Sequence, residues 1–214
     1  MTFIRSGCAR DWRAGMWIGV AALGLMVVVG CDGGAGDAAP GAGQKPTERP
    51  IVTDLDGHEV DPLTDIQAEA VVLIFVASDC PISNRYAPVM QDFELEYGPQ
   101  GVTFYLVYPD PDNTAAIVRT HQSDYSLSMP ALRDPWHVLV ERSEVRVTPE
   151  VAVFVPEGHL VYHGRIDNRY VDYGDARPEA TEHDLKDVLD TILAGEPALF
   201  VNREGTGCII ADLK

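Results

Sequence analysis

The sequence predicts an α/β sandwich, and two observations predict it. Residues 70–77 form a short apolar run rich in β-branched side chains, as expected of a strand that is buried on both faces. Further apolar runs then alternate along the chain with segments whose apolar residues recur at helical spacing. Strands that alternate with helices are typical of a sheet covered by helices.

The strands are expected at residues 70–77, 102–108, 151–155 and 160–162, with a turn at residues 156–158. The first helix is expected to begin at Pro81, because proline fits the first helical position, and to end near Gly98. Two further helices are predicted at residues 112–125 and 136–141. Thr181 and Asp184 resemble a capping box before the last helix, whose apolar residues recur at helical spacing through residues 185–193.

Length and charge limit the possible functions. A chain of 214 residues accommodates one domain with a proper core plus appendages. Its net charge of −17 makes the surface repel phosphate backbones and anionic lipid. Nucleic-acid binding is therefore excluded as a function.

The N-terminal segment has the pattern of an export signal. A basic stretch ends near Arg13, an apolar run covers residues 16–29, and Gly30 precedes Cys31. This arrangement resembles the bacterial lipobox, whose cysteine is lipidated, and the run is shorter than the roughly 20 residues of a spanning helix. We therefore expect residues 1–31 to be a lipoprotein signal peptide and Cys31 to carry the lipid. An uncleaved membrane anchor is the alternative.

The rest of the chain is predicted to have three parts. Residues 32–49 are rich in Gly, Ala and Pro and form a flexible tether. Residues 50–195 form the folded domain, and residues 196–214 form a C-terminal tail that carries Cys208. The expected location is the cell envelope, with the lipid as the contact with the membrane.

Two motifs carry a resemblance to a known family. Residues 80–83 read Cys-Pro-Ile-Ser and are followed by Ala87-Pro88, which resembles the active-site helix of thioredoxin with Ser83 in place of the second cysteine. Residues 145–149, ending in Thr148-Pro149, resemble the segment that carries the thioredoxin cis-proline. The longer stretch 109–148 between two strands resembles the redoxin branch, namely peroxiredoxins of the alkyl hydroperoxide reductase/thiol-specific antioxidant type and membrane-anchored thioredoxins.

The resemblance implies a thioredoxin-like three-layer sandwich with a central mixed sheet and an inserted helix-strand. It also implies a thiol-disulfide oxidoreductase that acts on protein thiols or disulfides, or on a small thiol donor, without a cofactor. Cys80 would be the nucleophile at a helix N-terminus, which favours the thiolate, whereas the neighbouring Asp79 disfavours it. Ser83 is positioned to donate to the thiolate, and a cis Pro149 would fix backbone that receives an extended substrate segment. A small buried hydrophobe without reactivity is the alternative for Cys80.

Cys208 is the predicted resolving cysteine. Cys8 leaves with the signal peptide and Cys31 is lipidated, so Cys80 and Cys208 remain as free thiols. In the thioredoxin layout the last helix runs about 20 Å away from the active-site end, and the following tail spans up to roughly 40 Å, so Cys208 can return to Cys80. An unpaired or structural cysteine in the tail is the alternative.

Three other interpretations stay open. Peroxiredoxins carry a proline and a threonine where this chain has Leu73 and Ala77, which disfavours a peroxidase, although Arg146 or Arg85 would supply an arginine. A copper chaperone would need histidines beside the two cysteines, but the six histidines form no ligand motif. A Cys-x-x-Ser site without a resolving thiol would be a binding module that traps partners.

Substrate contacts are predicted in the loop before the last helix. This loop, residues 167–174, contains Arg169 and Tyr170 and is expected at the same end of the sheet as Cys80. Arg146 is the third predicted substrate-binding residue. The alternative is that the loop is only a long connection.

Overall fold

The computed structural model describes residues 51–64 and 66–211. They belong to a compact unit that spans Thr47–Lys214 and includes the tail. The predicted signal peptide, Cys31 and most of the tether, residues 32–49, lie outside the described residues. Among the residues described, no helix is both long and apolar enough to cross a membrane.

The described residues form the strands β1 Ala70–Phe75, β2 Val102–Tyr108, β3 Ala131–Arg133, β4 Val147–Thr148, β5 Glu150–Val155, β6 His159–Gly164, β7 Tyr170–Asp172, β8 Asp175–Ala176, β9 Val201–Arg203 and β10 Cys208–Ile209.

A six-stranded mixed sheet forms the centre of the domain. Its strands lie in the order β3-β2-β1-β5-β6-β9. β1, β2 and β3 are parallel to one another, β5 is antiparallel to its neighbours β1 and β6, and β9 is parallel to β6. Two short pairs lie apart from this sheet, β4 with β10 and β7 with β8.

The α-helices are α1 Pro81–Tyr97, α2 Ala115–Asp124, α3 Val138–Ser143 and α4 Asp184–Leu193. Alternate residues of β1 divide the core into two parts. Val72 and Ile74 pack in a cluster with residues of α1, α2 and α4, whereas Leu73 and Phe75 pack in a second cluster with Leu139 of α3. Because successive strand residues point to opposite faces, β1 is buried on both sides and reads as a continuous apolar run.

The predicted element order is confirmed, including the α/β fold and the inserted helix-strand between β2 and β5. The capping box at Thr181 and Asp184 is wrong. The N-cap of α4 is His183, which makes no side-chain cap bond. Thr181 is held outside the helix because the buried Asn168 accepts its backbone N–H at 2.8 Å and donates to its hydroxyl at 2.8 Å.

The tail contributes strands in two places. Val201–Arg203 adds β9 to the edge of the main sheet, parallel to β6. Cys208–Ile209 forms β10, which is antiparallel to β4 just before Pro149. The tail therefore returns to the part of the fold that precedes β5, and it brings Cys208 with it.

Candidate functional site at Cys80 and Cys208

Cys80 lies at the junction of the central strand β1 and helix α1. It is the N-cap residue of α1, with extended backbone, and Pro81 occupies the first helical position. Its backbone N–H donates to Ala77 (3.2 Å), and its carbonyl accepts from Asn84 (3.0 Å). Its side chain is 1 % exposed. Local sequence thus places the thiol at the end of a helix whose free N–H groups favour a thiolate.

Asn84 ties the beginning of α1 to its surroundings. Its side-chain amide donates to the carbonyl of Ser78 (3.2 Å) and accepts from Nε2 of His121 (2.8 Å). Nδ1 of His121 accepts from the hydroxyl of Tyr108 at 2.8 Å. Burial lowers the pKa of His121, so this chain of hydrogen bonds contains a neutral imidazole. The network holds the first turn of α1 against β2 and α2.

The segment Thr148-Pro149 lies directly beside Cys80. The peptide bond between the two residues is cis, as the resemblance implied for Pro149. The Cys80 thiol donates a hydrogen bond to the carbonyl of Thr148, with a distance of 3.1 Å between sulfur and oxygen. Thr148 is buried, so the thiol is enclosed on this side by backbone.

β10 places Cys208 at the same point. Cys208 is the register partner of Thr148, and Ile209 is that of Val147. The backbone N–H of Ile210 donates to the carbonyl of Arg146 (2.9 Å), which extends the pairing by one residue. The Cys208 thiol lies within hydrogen-bonding range of the Cys80 sulfur, and both cysteines of the described residues are free. The structure therefore brings together the two cysteines that the sequence analysis paired.

Glu150 connects the tail to the segment before Pro149. Its buried carboxylate accepts the backbone N–H groups of Arg146 (2.7 Å) and Val147 (3.2 Å) with Oε2, and that of Gly205 (3.0 Å) with Oε1. A Cβ at Gly205 would lie 2.7 Å from Cγ of Glu150, and one at Gly207 would lie 2.1 Å from the carbonyl oxygen of Thr148. Only glycine allows so close an approach at these two positions.

The surroundings of Cys80 favour its thiolate. Burial by itself raises the pKa of Cys80, because it removes water from the charged form. Hydrogen bonds from the Cys208 thiol and from the backbones of Ser83 and Cys208 act in the opposite direction, as does the nearby Ser83 hydroxyl. Their combined effect is larger, and the pKa of Cys80 lies below the usual value of 9.0.

The pKa of Cys208 is shifted in the opposite direction, upward. Burial, the hydrogen bond to Cys80, and the negative charges of Cys80 and Asp79 raise the pKa of Cys208 to about 12. The neighbouring Asp79 therefore acts on the tail cysteine, whereas the sequence analysis expected it to act against Cys80. Of the two thiols, Cys80 is therefore the more readily ionised, and Cys208 keeps its proton at neutral pH.

Ser83 lies one turn into α1, where thioredoxins have their second cysteine. It is 2 % exposed, and its hydroxyl oxygen has no hydrogen-bond partner of normal geometry in the described part of the chain. The hydroxyl nevertheless lies close enough to the Cys80 sulfur to lower its pKa. It is available to a thiolate at the position that the sequence analysis assigned to it.

A cavity of about 470 Å³ opens beside Cys208. We call it the tail cavity. Besides Cys208 it contacts Thr148, the acidic Asp79 and Asp110, and His137. Its other lining residues are Ala77, Pro81, Pro109, Pro111, Tyr173, Ile209, Ile210 and Ala211. Cys80 does not line this cavity, because the tail lies over it.

The predicted substrate contacts lie elsewhere. Arg169 and Tyr170 line a second cavity of about 300 Å³ with Arg85, Tyr86 and Ala176. The two cavities share no lining residue, although Tyr173 of the same loop reaches the tail cavity. The Arg146 side chain is exposed, and it is the backbone of this residue that contacts the tail. The substrate-binding roles of these three residues stay predictions.

Sequence reasoning missed three residues that build the site, namely Glu150, Gly205 and Gly207. The two glycines frame a single residue just before Cys208, and this spacing was a visible sign of close backbone contact. Glu150 had no such sign, because an acidic residue at the start of a strand is ordinarily exposed.

A family comparison now identifies the chain. The model of the AhpC/TSA family matches residues 35–163, which is more than half of the chain and includes Cys80 and Pro149. The chain belongs to the AhpC/TSA family. It is a thioredoxin-like protein of the redoxin branch, as the motifs at residues 80–83 and 145–149 implied.

Two solved structures share the fold at low sequence identity, and a third is more distantly similar. A hypothetical protein from Sinorhizobium meliloti 1021 is 22% identical over 75% of this chain and 88% of its own, with a TM-score of 0.61. An uncharacterized conserved protein from Geobacillus kaustophilus is 22% identical over 75% of this chain and 86% of its own, with a TM-score of 0.57. A secreted disulfide oxidoreductase from Mycobacterium tuberculosis is 21% identical over 68% of this chain and 94% of its own, with a TM-score of 0.46. None of the curated proteins matches the chain.

Within the AhpC/TSA family, this chain departs from the peroxidatic pattern. Leu73 and Ala77 stand at the proline and threonine positions, and neither side chain can donate a hydrogen bond to a peroxide. Leu73 is fully buried in the core cluster that contains α3. Among the residues described, the side chains close enough together to hold a metal ion are those of Asp54, Asp56 and His58, and this group includes neither cysteine.

Proposed function

We propose that this AhpC/TSA protein is an extracytoplasmic, membrane-tethered thiol-disulfide oxidoreductase with Cys80 as nucleophile and Cys208 as resolving cysteine. One observation carries the proposal. The two free thiols are neighbours whose pKa values are shifted in opposite directions, downward for Cys80 and upward for Cys208. An attacking thiolate needs a low pKa, and the waiting partner must stay protonated until its turn.

The proposed reduction of a substrate disulfide has two steps. The Cys80 thiolate attacks one substrate sulfur, which forms a mixed disulfide and releases the other substrate sulfur as a thiolate. The Cys208 thiol then gives its proton to that thiolate and attacks Cys80. This step forms the Cys80–Cys208 disulfide and releases the second substrate sulfur as a thiolate, which takes its proton from water. The substrate gains two electrons, the protein loses two electrons and the Cys208 proton, and the reverse sequence oxidises a dithiol.

The second step is favoured by the change at Cys80. The negative charge of Cys80 and its hydrogen bond both raise the pKa of Cys208. In the mixed disulfide Cys80 carries no charge, so two causes of the high pKa are removed. Cys208 therefore becomes easier to ionise when it is required to attack. Ser83 is proposed to stabilise the Cys80 thiolate, and Thr148 with Pro149 to enclose it.

The proposed location rests on the N-terminal pattern. The lipobox-like segment that ends at Cys31 supports export and lipidation, and residues 32–49 supply the tether. The proposed partners are protein thiols or disulfides, or a small thiol donor. Labelling of the chain by a radioactive fatty acid, lost in Cys31→Ala, is the expected result, and equal labelling of both proteins would contradict lipidation at this residue.

The redox proposal is tested with three proteins, the wild-type chain, Cys80→Ser and Cys208→Ser. After mild oxidation, non-reducing mass spectrometry should find a Cys80–Cys208 disulfide in the wild type. Cys208→Ser should instead accumulate Cys80 mixed disulfides and lose turnover, because nothing displaces the bound partner. Cys80→Ser should form neither species. A wild-type protein without the disulfide, together with a Cys208→Ser protein that turns over normally, would contradict the resolving role.

Membership of the AhpC/TSA family supports a second function, thiol peroxidase activity with the same two cysteines. Cys80 would be oxidised to a sulfenic acid by peroxide, and Cys208 would condense with it to form the disulfide and water. The measurement is peroxide consumption with a thiol donor. Loss of this activity in Cys80→Ser would support a peroxidase, and peroxide consumption equal to that of buffer in the wild type would exclude it.

A further inference from the structure

Residues 205–211, which we call the latch, contain β10, and β10 pairs with β4 beside Cys80. Cys208 is opposite Thr148 in an antiparallel register, and Ile209 is opposite Val147. The next residue continues the pairing through the hydrogen bond from Ile210 to Arg146. A short peptide that adds a strand to an exposed sheet edge makes the same kind of contact, with main-chain hydrogen bonds and side chains on alternate faces.

Two close backbone approaches and a hydrogen bond to a buried carboxylate hold the latch in this position. Gly205 and Gly207 approach the neighbouring chain so closely that a Cβ would collide with Glu150 and Thr148. The buried Glu150 carboxylate receives one backbone N–H from the latch and two from the segment before Thr148. Ile209 is 83 % exposed, whereas Cys208 and Ile210 are half-buried and pack against the two core clusters.

The latch also closes access to Cys80. The Cys80 sulfur is hydrogen-bonded to the Thr148 carbonyl and lies beside Cys208, and its side chain is 1 % exposed. The sulfur that faces the tail cavity is that of Cys208. In this arrangement Cys80 lies next to Cys208 and presents almost no surface to an external disulfide.

We infer that the latch is an internal stand-in for a polypeptide substrate, and that it must leave β4 before a partner's extended, cysteine-bearing segment can pair there. This inference rests on the proposed function. The partner class is an extended polypeptide with small residues before its cysteine, because the approach of Gly205 to Glu150 and of Gly207 to Thr148 excludes larger side chains at these positions. Opening breaks the hydrogen bonds to Glu150, Arg146 and Thr148, so the latch controls how fast Cys80 meets its substrate.

The test uses the full chain in detergent with Cys208→Ser, which leaves the latch in place but removes its thiol. The probe is a synthetic peptide with the sequence of residues 204–211, whose cysteine carries thionitrobenzoate as a mixed disulfide. The Cys80 thiolate attacks the peptide sulfur, the Cys80–peptide disulfide forms, and thionitrobenzoate is released and measured by its absorbance. Cystamine serves as a small disulfide for comparison.

Two changes open the latch in this background. Gly207→Val drives the latch off Thr148, and a chain that ends at Glu204 lacks it altogether. Gly98→Val is the matched control, because no atom lies within 4 Å of a Cβ at that position. Since opening no longer precedes exchange, we expect the peptide to react about tenfold faster in both open variants and at an unchanged rate in the control.

A second peptide distinguishes strand pairing from mere exposure. Prolines at the two isoleucine positions remove the N–H donors that pairing needs, so this peptide should gain less than the first from opening of the latch. Equal peptide rates in all proteins would overturn the inference and leave the proposed function intact. Failure of Cys80 to react with the peptide or with cystamine in any variant would overturn both.

Discussion

Cys80 and Cys208 meet at one site, but different kinds of structure hold them there. Cys80 is placed by local structure, at the end of a strand buried on both faces and at the first turn of α1. Cys208 is placed by a two-residue strand, β10, whose partner is about 60 residues away in the sequence. The first arrangement belongs to the core, and the second depends on a few backbone hydrogen bonds and on partly buried side chains at its surface.

This difference in how the two cysteines are held fits their proposed roles as nucleophile and resolving cysteine. A nucleophile benefits from a fixed position, because the groups that lower its pKa must stay aligned with the sulfur. A resolving cysteine has to approach and leave the same sulfur, so a weakly held segment suits it. The rigid cysteine has the lowered pKa, and the cysteine on the latch has the raised one.

The largest effect is expected from Glu150→Gln, which weakens the hydrogen bonds that hold the latch and the Arg146 segment together. The amide cannot accept N–H bonds with both of its heteroatoms, so at least one donor of the latch or of the Arg146 segment loses a partner. Loss of a charged hydrogen bond at this buried position should lower the free energy of unfolding by about 1.5–3 kcal/mol. Urea unfolding measures this change.

Glu150→Gln should also slow formation of the Cys80–Cys208 disulfide but speed the reaction of Cys80 with cystamine, because a latch that opens more often exposes Cys80 to an external disulfide. Glu96→Gln on the exposed face of α1 is the control and should change neither quantity. If Glu150→Gln slowed both reactions equally, the carboxylate would be acting on the whole fold and not on the latch.

A smaller effect is expected from Asn84→Ala, which disturbs the Cys80 side alone. The substitution leaves the Ser78 carbonyl and Nε2 of His121 without their partners, at a cost of about 1–2 kcal/mol in unfolding free energy. Hydrogen exchange should increase in the first turn of α1 and remain unchanged in β10. Increased exchange in both places would show that the two sides of the site are not independent.

The smallest effect is a shift in the pH at which Cys80 ionises. In the Cys208→Ala protein the thiol that donates to the Cys80 sulfur is absent, so the pKa of Cys80 should rise toward its usual value. Ser83→Ala should shift it in the same direction. In the Cys208→Ala protein, Cys80 is the one remaining thiol among residues 51–64 and 66–211, and the ultraviolet absorbance of its thiolate reports this pKa. A Cys208→Ala protein that ionises at a lower pH would contradict the assigned cause.

The tail shows where prediction from sequence was effective and where it stopped. Chain length alone allowed Cys208 to reach Cys80, and the structure brings them together. The route was not predictable, because it depends on Glu150 being buried and on two glycines passing close to its side chain and to Thr148. The capping box failed for a related reason, since Asn168 lies 13 residues from Thr181 and still captures it.

The sequence by itself determined the α/β fold, the order of its elements and the position of Cys80, because strand burial, helical spacing and the Cys-Pro motif are encoded by neighbouring residues. The tertiary structure decided which sulfur is activated and which is kept protonated. Those properties depend on burial beside β4 and on hydrogen bonds from β10 and Ser83 that converge on one point. No local pattern specifies that convergence, because its members come from three separate parts of the chain.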